Sequence, residues 1–146
     1  DRRFDFKIKT SRLVFLSDYA HHPAEIAQSV KSVRELYKDK KITAIFQPHL
    51  YTRTRDFYKD FADSLSLLDE VILTEIYPAR EQPIPGVSSR LIYDNLRPGI
   101  EKCICPKEDI LNLLSKKSVE VLIVLGAGDL DNYVPSITQL LEQQSK

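Results

Sequence analysis

The fold is decided by "RLVFLSDYAHHPAEIAQSVKSVRELY", residues 12–37. Its opening, "RLVFLSD", is a continuous apolar run that ends in polar residues, the pattern of a strand buried on both faces. From Pro23 the period changes, and Ile26, Val30, Val33 and Tyr37 fall at i, i+4, i+7 and i+11, one face of a helix. Pro23 suits a first helical turn, where its missing N–H costs nothing. One strand, one short polar turn and one helix therefore follow each other without a linker.

The same alternation continues outward from this unit. "ITAIFQP" reads as a buried strand and "FYKDFADSLSLL" as a helix with Phe57, Phe61 and Leu65 on one face. "EVILTEI" is a strand, followed by a proline-rich loop and "SSRLIYDNL" as a capped helix. "KCICP" and "VEVLIVLGAGD" are strands, each followed by a helix, "KEDILNLLSK" and "LDNYVPSITQLLEQQ". Upstream, "FDFKIKT" has period-2 character and is separated from "RLVFLSD" by Thr10 and Ser11, which predicts a hairpin. Five strands separated by helices predict an α/β, Rossmann-like open sheet, mostly parallel with one antiparallel strand near the N-terminus and helices on both faces. Ligands in such sheets bind outside the carboxyl ends of the strands, so the strand-to-helix junctions are where chemistry is expected.

Composition narrows the classes. A chain of 146 residues with 42% hydrophobic content suits one domain, residues 1–146, with a core that needs no staples. Lys plus Arg and Asp plus Glu both total 21, which argues against a nucleic-acid partner. No apolar run approaches a membrane span, and "DRRFDFKIKT" has none of the parts of a signal peptide. Cys103 and Cys105 sit too close along one strand for an ordinary disulfide, so they read as small apolar residues in a reducing, cytoplasmic setting. The chain begins at Asp1, contains no Met and enters structure at once, so a piece of a longer chain is expected.

Four junctions carry unusual residues. In "SDYAHHP", Asp18, Tyr19, His21 and His22 fill a turn before a helix start, which offers free N–H groups and a positive dipole end. The readings open there are a polar ligand site, a merely structural cap and packing arrangement, and a metal site completed by His49. In "FQPHLYTRTRDF", Thr52 or Thr54 is a candidate N-cap. That would place Arg53 and Arg55 at the helix start, where each cation costs roughly 0.3–1 kcal/mol; a bound anion would offset this, and surface pairing with Asp56 or Asp60 is the alternative. "YPAREQPIPGVSS" is a long loop, hence functional or a contact to another domain. In "VLGAGDLDN", Gly126 and Gly128 form half a dinucleotide fingerprint, better read as a tight turn that lets backbone approach a neighbour. No G-x-x-x-x-G-K-[ST] phosphate loop or G-x-S-x-G elbow is present, and neither Cys has an evident activating partner, so no catalytic nucleophile, acid or base is expected.

"SDYAHHPAEI", "FQPHLYTRTRDF", "YPAREQPIPGVSS" and "VLGAGDL", in this order and spacing, resemble the C-terminal domain of the Mur ligases. Among these the second motif is closer to the branch that joins L-alanine to UDP-N-acetylmuramate than to the sister branch that recycles a tripeptide. The likeness covers nearly the whole chain, with "RRFDF" similar to the end of that family's central domain. It implies an ATP-dependent, amide-forming ligase of peptidoglycan precursor synthesis. The central domain phosphorylates the muramoyl carboxylate, and the amine of L-alanine attacks the acyl phosphate. The C-terminal domain closes over that site, holds the amino acid and helps clamp ATP.

Carried onto this chain, the resemblance assigns Tyr19, His21 and Arg53 to the amino-acid or product end, with Arg53 on the alanine carboxylate. It assigns Arg3 and Asp18 to ATP, near the phosphates and the ribose, and supporting roles to His22, His49, Thr52 and Arg55. Ser17 stands where relatives often have a first Asp, and Leu50 where some have Arg, so a second cation on the carboxylate is missing. ATP and Mg2+ belong to the full enzyme, with no metal ligand here and no cofactor held tightly by this domain. The partners implied are L-alanine, UDP-N-acetylmuramate, ATP and the chain's own N-terminal and central ATPase domains, which lie outside residues 1–146; alone, the domain is expected to turn over nothing. Two other classes remain open: a free-standing Rossmann-like module binding a phosphorylated or carboxylated partner, and a metal-dependent hydrolase on His21, His22 and His49.

Overall fold

The computed structural model describes residues 4–146, so Arg3, expected near ATP, lies outside the described residues. The apolar runs become a six-stranded sheet. Its strands are β1 (Asp5–Lys9), β2 (Val14–Asp18), β3 (Ile42–Phe46), β4 (Glu70–Leu73), β5 (Glu101–Ile104) and β6 (Val121–Leu125), in the order β1-β2-β6-β3-β4-β5. β1 pairs antiparallel with β2 and every other pair is parallel. The hairpin turn is closed by Thr10, whose N–H and hydroxyl both donate to the Leu13 carbonyl while its Oγ1 accepts from the Leu13 N–H.

Helices α1 (Pro23–Leu36), α2 (Tyr51–Leu65) and α3 (Arg90–Asn95) pack on one face, and α4 (Ile110–Ser115) and α5 (Val134–Gln144) on the other. The two-residue period of each strand divides the core accordingly. Val14, Leu16, Ala44, Phe46, Ile123 and Leu125 face the first helix layer, while Phe15, Ile45, Ile72, Leu122 and Val124 face the second. Burying each Val, Leu, Ile or Phe among them contributes roughly 1.5–3 kcal/mol before chain entropy is charged against it. Cys103 and Cys105 are free and belong to the second layer; burial pushes the Cys105 thiol up to about 11.

Three local expectations are corrected. α2 begins at Tyr51 after Leu50, not at Thr52 or Thr54. Phe57 departs from helical geometry (φ −128°, ψ 15°) and is exposed, while Thr54, Phe61, Ala62 and Leu65 are buried. The kink turns Phe57 off the face that ideal helical spacing assigns it. The helices after "KCICP" and "VLGAG" are also shorter, because each opens with a 3₁₀ turn, at Lys107–Asp109 and Asp129–Tyr133.

Parallel register aligns the carboxyl ends of the central strands, with Asp18 opposite Leu125 and Leu125 opposite Phe46. The polar residues that follow these strands are thereby brought together at one edge. Among the described residues no helix is long and apolar enough to cross a membrane.

Candidate functional site

At the end of β2, Asp18 is buried, 3% exposed. Its carboxylate accepts from the Ala20 N–H at 3.0 Å and from the Ser29 hydroxyl at 2.5 Å, tying the turn to the body of α1. The turn then presents its histidines in a fixed pose. Glu25, in the first turn of α1, reaches back to accept from the N–H groups of His21 and His22, each at 3.1 Å. That is the carboxylate half of a capping box and satisfies two donors at once. His21 Nδ1 lies 2.9 Å from the Tyr19 carbonyl, a contact that sets the tautomer with the proton on Nδ1.

At the end of β3, residues 47–50 bridge to the loop that follows β4. Leu50 N–H donates to the Tyr77 carbonyl and Tyr77 N–H to the Pro48 carbonyl, both at 2.8 Å. This holds Leu50 at φ 76°, an uncommon conformation for a branched residue that persists only when its surroundings fix it. His49 is thus carried beside His21, with ring centroids 5.4 Å apart, and beside Tyr77 at 5.5 Å; His21 and His22 are 4.6 Å apart. Burial and then the neighbouring His21 and Arg53 hold His49 below the ordinary histidine value, so it favours the neutral ring.

Arg53 sits on the first turn of α2. Its Nη1 and the Nδ1 of His49 are buried and find no hydrogen-bond partner among the described residues. A buried donor without a partner costs about 1–3 kcal/mol, and a guanidinium is built to pair a carboxylate with two parallel bonds. Arg55, by contrast, pairs with the adjacent Asp56 at 2.8 Å on the surface.

The anion that the helix start calls for is partly built in. Glu81, from the proline-rich loop, accepts from the Tyr51 N–H at 2.6 Å, the Thr52 N–H at 3.1 Å and the Thr52 hydroxyl at 2.5 Å. The Thr52 hydroxyl and the two N–H groups hold the Glu81 carboxyl below its ordinary range.

The G-x-G turn after β6 packs against this assembly. A Cβ on Gly128 would meet Gln47 Oε1 at 2.5 Å and Tyr77 Cγ at 2.7 Å, so only glycine fits. Gln47 donates to Asp129 at 2.8 Å and accepts from Leu130 N–H at 3.1 Å. The tight-turn reading of "GAG" is the one the structure shows.

His21, His22, His49, Thr52 and Arg53 are therefore brought to one end of the sheet. Tyr19 is directed differently: it is 65% exposed, and its hydroxyl donates at 2.9 Å to Asp131 beyond β6. That bond raises the Tyr19 phenol above its ordinary value. Sequence reading missed Glu81 and Gln47, whose partners lie 30 and 82 positions away; no local pattern marks such contacts. The three imidazoles are close, yet among the described residues no group of three or more His, Cys, Asp or Glu side chains forms a metal site.

An open, mostly parallel α/β sheet that gathers a half-buried guanidinium and imidazoles beyond its carboxyl ends is a domain of the doubly wound class, in which ligands generally bind at that edge. Comparison with known proteins makes this particular. The family model for Mur ligase, glutamate ligase domain, matches residues 2–130, and the chain belongs to that family. It is 76% identical over 99% of its length to a UDP-N-acetylmuramate–L-alanine ligase of Phocaeicola vulgatus, and 56% identical over 98% to one of Parabacteroides distasonis. It spans about 31% of the length of each. Among solved structures it is similar to the UDP-N-acetylmuramate-alanine ligase of Thermotoga maritima, with a TM-score of 0.69 and 28% identity over 93% of this chain and 28% of that one.

Proposed function

We propose that this chain is the C-terminal, amino-acid-binding and closing domain of a cytoplasmic, ATP-dependent ligase that joins L-alanine to UDP-N-acetylmuramate in peptidoglycan precursor synthesis. The single observation that carries this reading is the buried, unpartnered Nη1 of Arg53, in a chain so similar to ligases of that name. Arg53 binds the alanine carboxylate. His49, kept toward its neutral form, adds little repulsion to the Arg53 guanidinium, and His21 and His22 line the same edge.

ATP, with Mg2+ in the intact enzyme, would supply the activation of the muramoyl carboxylate. The residues of this chain orient the amine of the amino acid toward that carbonyl and help exclude water, which is catalysis by proximity. Arg3 and Asp18 are assigned to ATP by resemblance to the family. For Asp18, the bonds to Ala20 and Ser29 support a part in shaping the turn that the nucleotide meets. Tyr19 is assigned to the product side, with its hydroxyl anchored on Asp131. Thr52 and Arg55 support the helix start. The N-terminal and central domains of the intact protein are the partners over which this domain closes.

The test is Arg53→Ala in the intact protein. Losing a charged, desolvated pair raises the KM for L-alanine at least about tenfold, with the KM for ATP little changed. Arg53→Lys recovers part of the loss, since an ammonium cannot make the bidentate pair. An unchanged KM for L-alanine in Arg53→Ala contradicts the assignment.

A further inference from the structure

The Glu81 carboxylate lies at this edge beside the residues assigned to the ligand. It leaves the loop after β4, crosses to α2 and accepts three bonds from Tyr51 and Thr52, immediately between His49 and Arg53 in the sequence. On the same side, the backbone exchange between residues 48–50 and Tyr77 holds Leu50 at its positive φ. Two unrelated segments are therefore joined at two points around the residues that carry the imidazole and the guanidinium.

We infer that Glu81 is a positioning residue: through the first turn of α2 it fixes where Arg53 and His49 stand, and it supplies the negative charge the helix start would otherwise take from a ligand. Two physical consequences support this. An α2 N-terminus already neutralised by Glu81 leaves the ligand carboxylate to be read by the Arg53 side chain, whose geometry is specific, and not by a diffuse dipole. The same carboxylate partly offsets the clustering of Arg53, His21 and His22 around His49. Arg55 also lies within the field of Glu81, although its direct partner is Asp56. For its substrate the inference rests on the reading proposed above.

The experiment uses the intact protein with Glu81→Ala and Glu81→Gln. Glu81→Ala is expected to raise the KM for the amino acid about tenfold, leaving those for ATP and the sugar nucleotide within about twofold. Glu81→Gln keeps an oxygen for the Tyr51 and Thr52 N–H groups and recovers most of the loss. Amide exchange at Tyr51 and Thr52, measured without substrate, speeds up in Glu81→Ala and much less in Glu81→Gln. If Glu81→Ala does not fold, Glu81→Gln still decides: with the carboxylate charge removed, the His49 ring titrates lower than in the parent.

Unchanged exchange, an unmoved His49 titration, or an equal rise in all three KM values overturns the inference. If the parent protein does not use L-alanine at all, the functional reading falls. The exchange and titration measurements then still judge Glu81.

Discussion

His49 shows how a single side chain carries consequences across the site. It is wedged between His21, Arg53 and Tyr77, and desolvation first, then the charges of its neighbours, hold its pKa below the ordinary 6.5. The unfolded chain therefore binds a proton at this ring more readily than the folded one does. Stability contributed here is intact above about pH 6.5 and is lost as pH falls from there toward the lower folded value. Thermal unfolding between pH 7.5 and 5.5 is expected to show a steeper acid-side loss in the parent than in His49→Gln, and NMR should find the ring titrating below 6.5. A ring titrating at or above 6.5 removes the argument. The pair His21–His22 and the arginines of "YTRTRD" were legible in the sequence because they lie in short motifs at strand ends. Glu81 and the Tyr19–Asp131 bond were not, since what gives them meaning is a partner 30 or 112 positions away.

Among the elements, the amino ends of the strands carry a device as deliberate as the site at their carboxyl ends. Glu70 opens β4 at 2% exposure. It accepts from the Thr43 hydroxyl at 3.0 Å and pairs with Lys117 at 2.6 Å, with Lys41 at 3.6 Å. Glu101, on the edge strand, also pairs with Lys41, at 2.9 Å, but is half exposed. Burial makes the difference in cost. Glu70→Ala strands the buried Thr43 hydroxyl and takes the nearer carboxylate from Lys117, which keeps only Glu101 at 3.7 Å, and should cost about 1–3 kcal/mol. Glu101→Ala loses a screened surface pair and should cost no more than about 1 kcal/mol. Chemical denaturation of both variants checks this, and equal costs would refute it. Strands and helices themselves were readable from apolar runs and the switch at Pro23, because burial dictates those patterns. The start of α2 and the two 3₁₀ turns were not, because they are held by contacts from Glu81 and Tyr77, from Glu75 and from Gln47 and not by local propensity.

For the whole molecule, insertion of β6 between β2 and β3 does most to create the site. It brings Asp18, Gly126 and Gln47 to one level and lets the glycine turn press against Tyr77. An open, mostly parallel sheet with an antiparallel first strand could be foreseen from the alternation of strand and helix. The strand order could not, because the runs of β2, β3, β4 and β6 are similarly apolar and buried, and nothing local says how they will be ordered. The resulting layout leaves Arg53 and the histidines on one edge of a domain that spans about 31% of its relatives' length. The most direct measurement is ADP release by the intact protein supplied with ATP, Mg2+, UDP-N-acetylmuramate and single amino acids. Release that requires both the sugar nucleotide and L-alanine, and yields the amide-linked product, is the predicted result. Release with neither, or amide formation with another amino acid in preference to L-alanine, would contradict it.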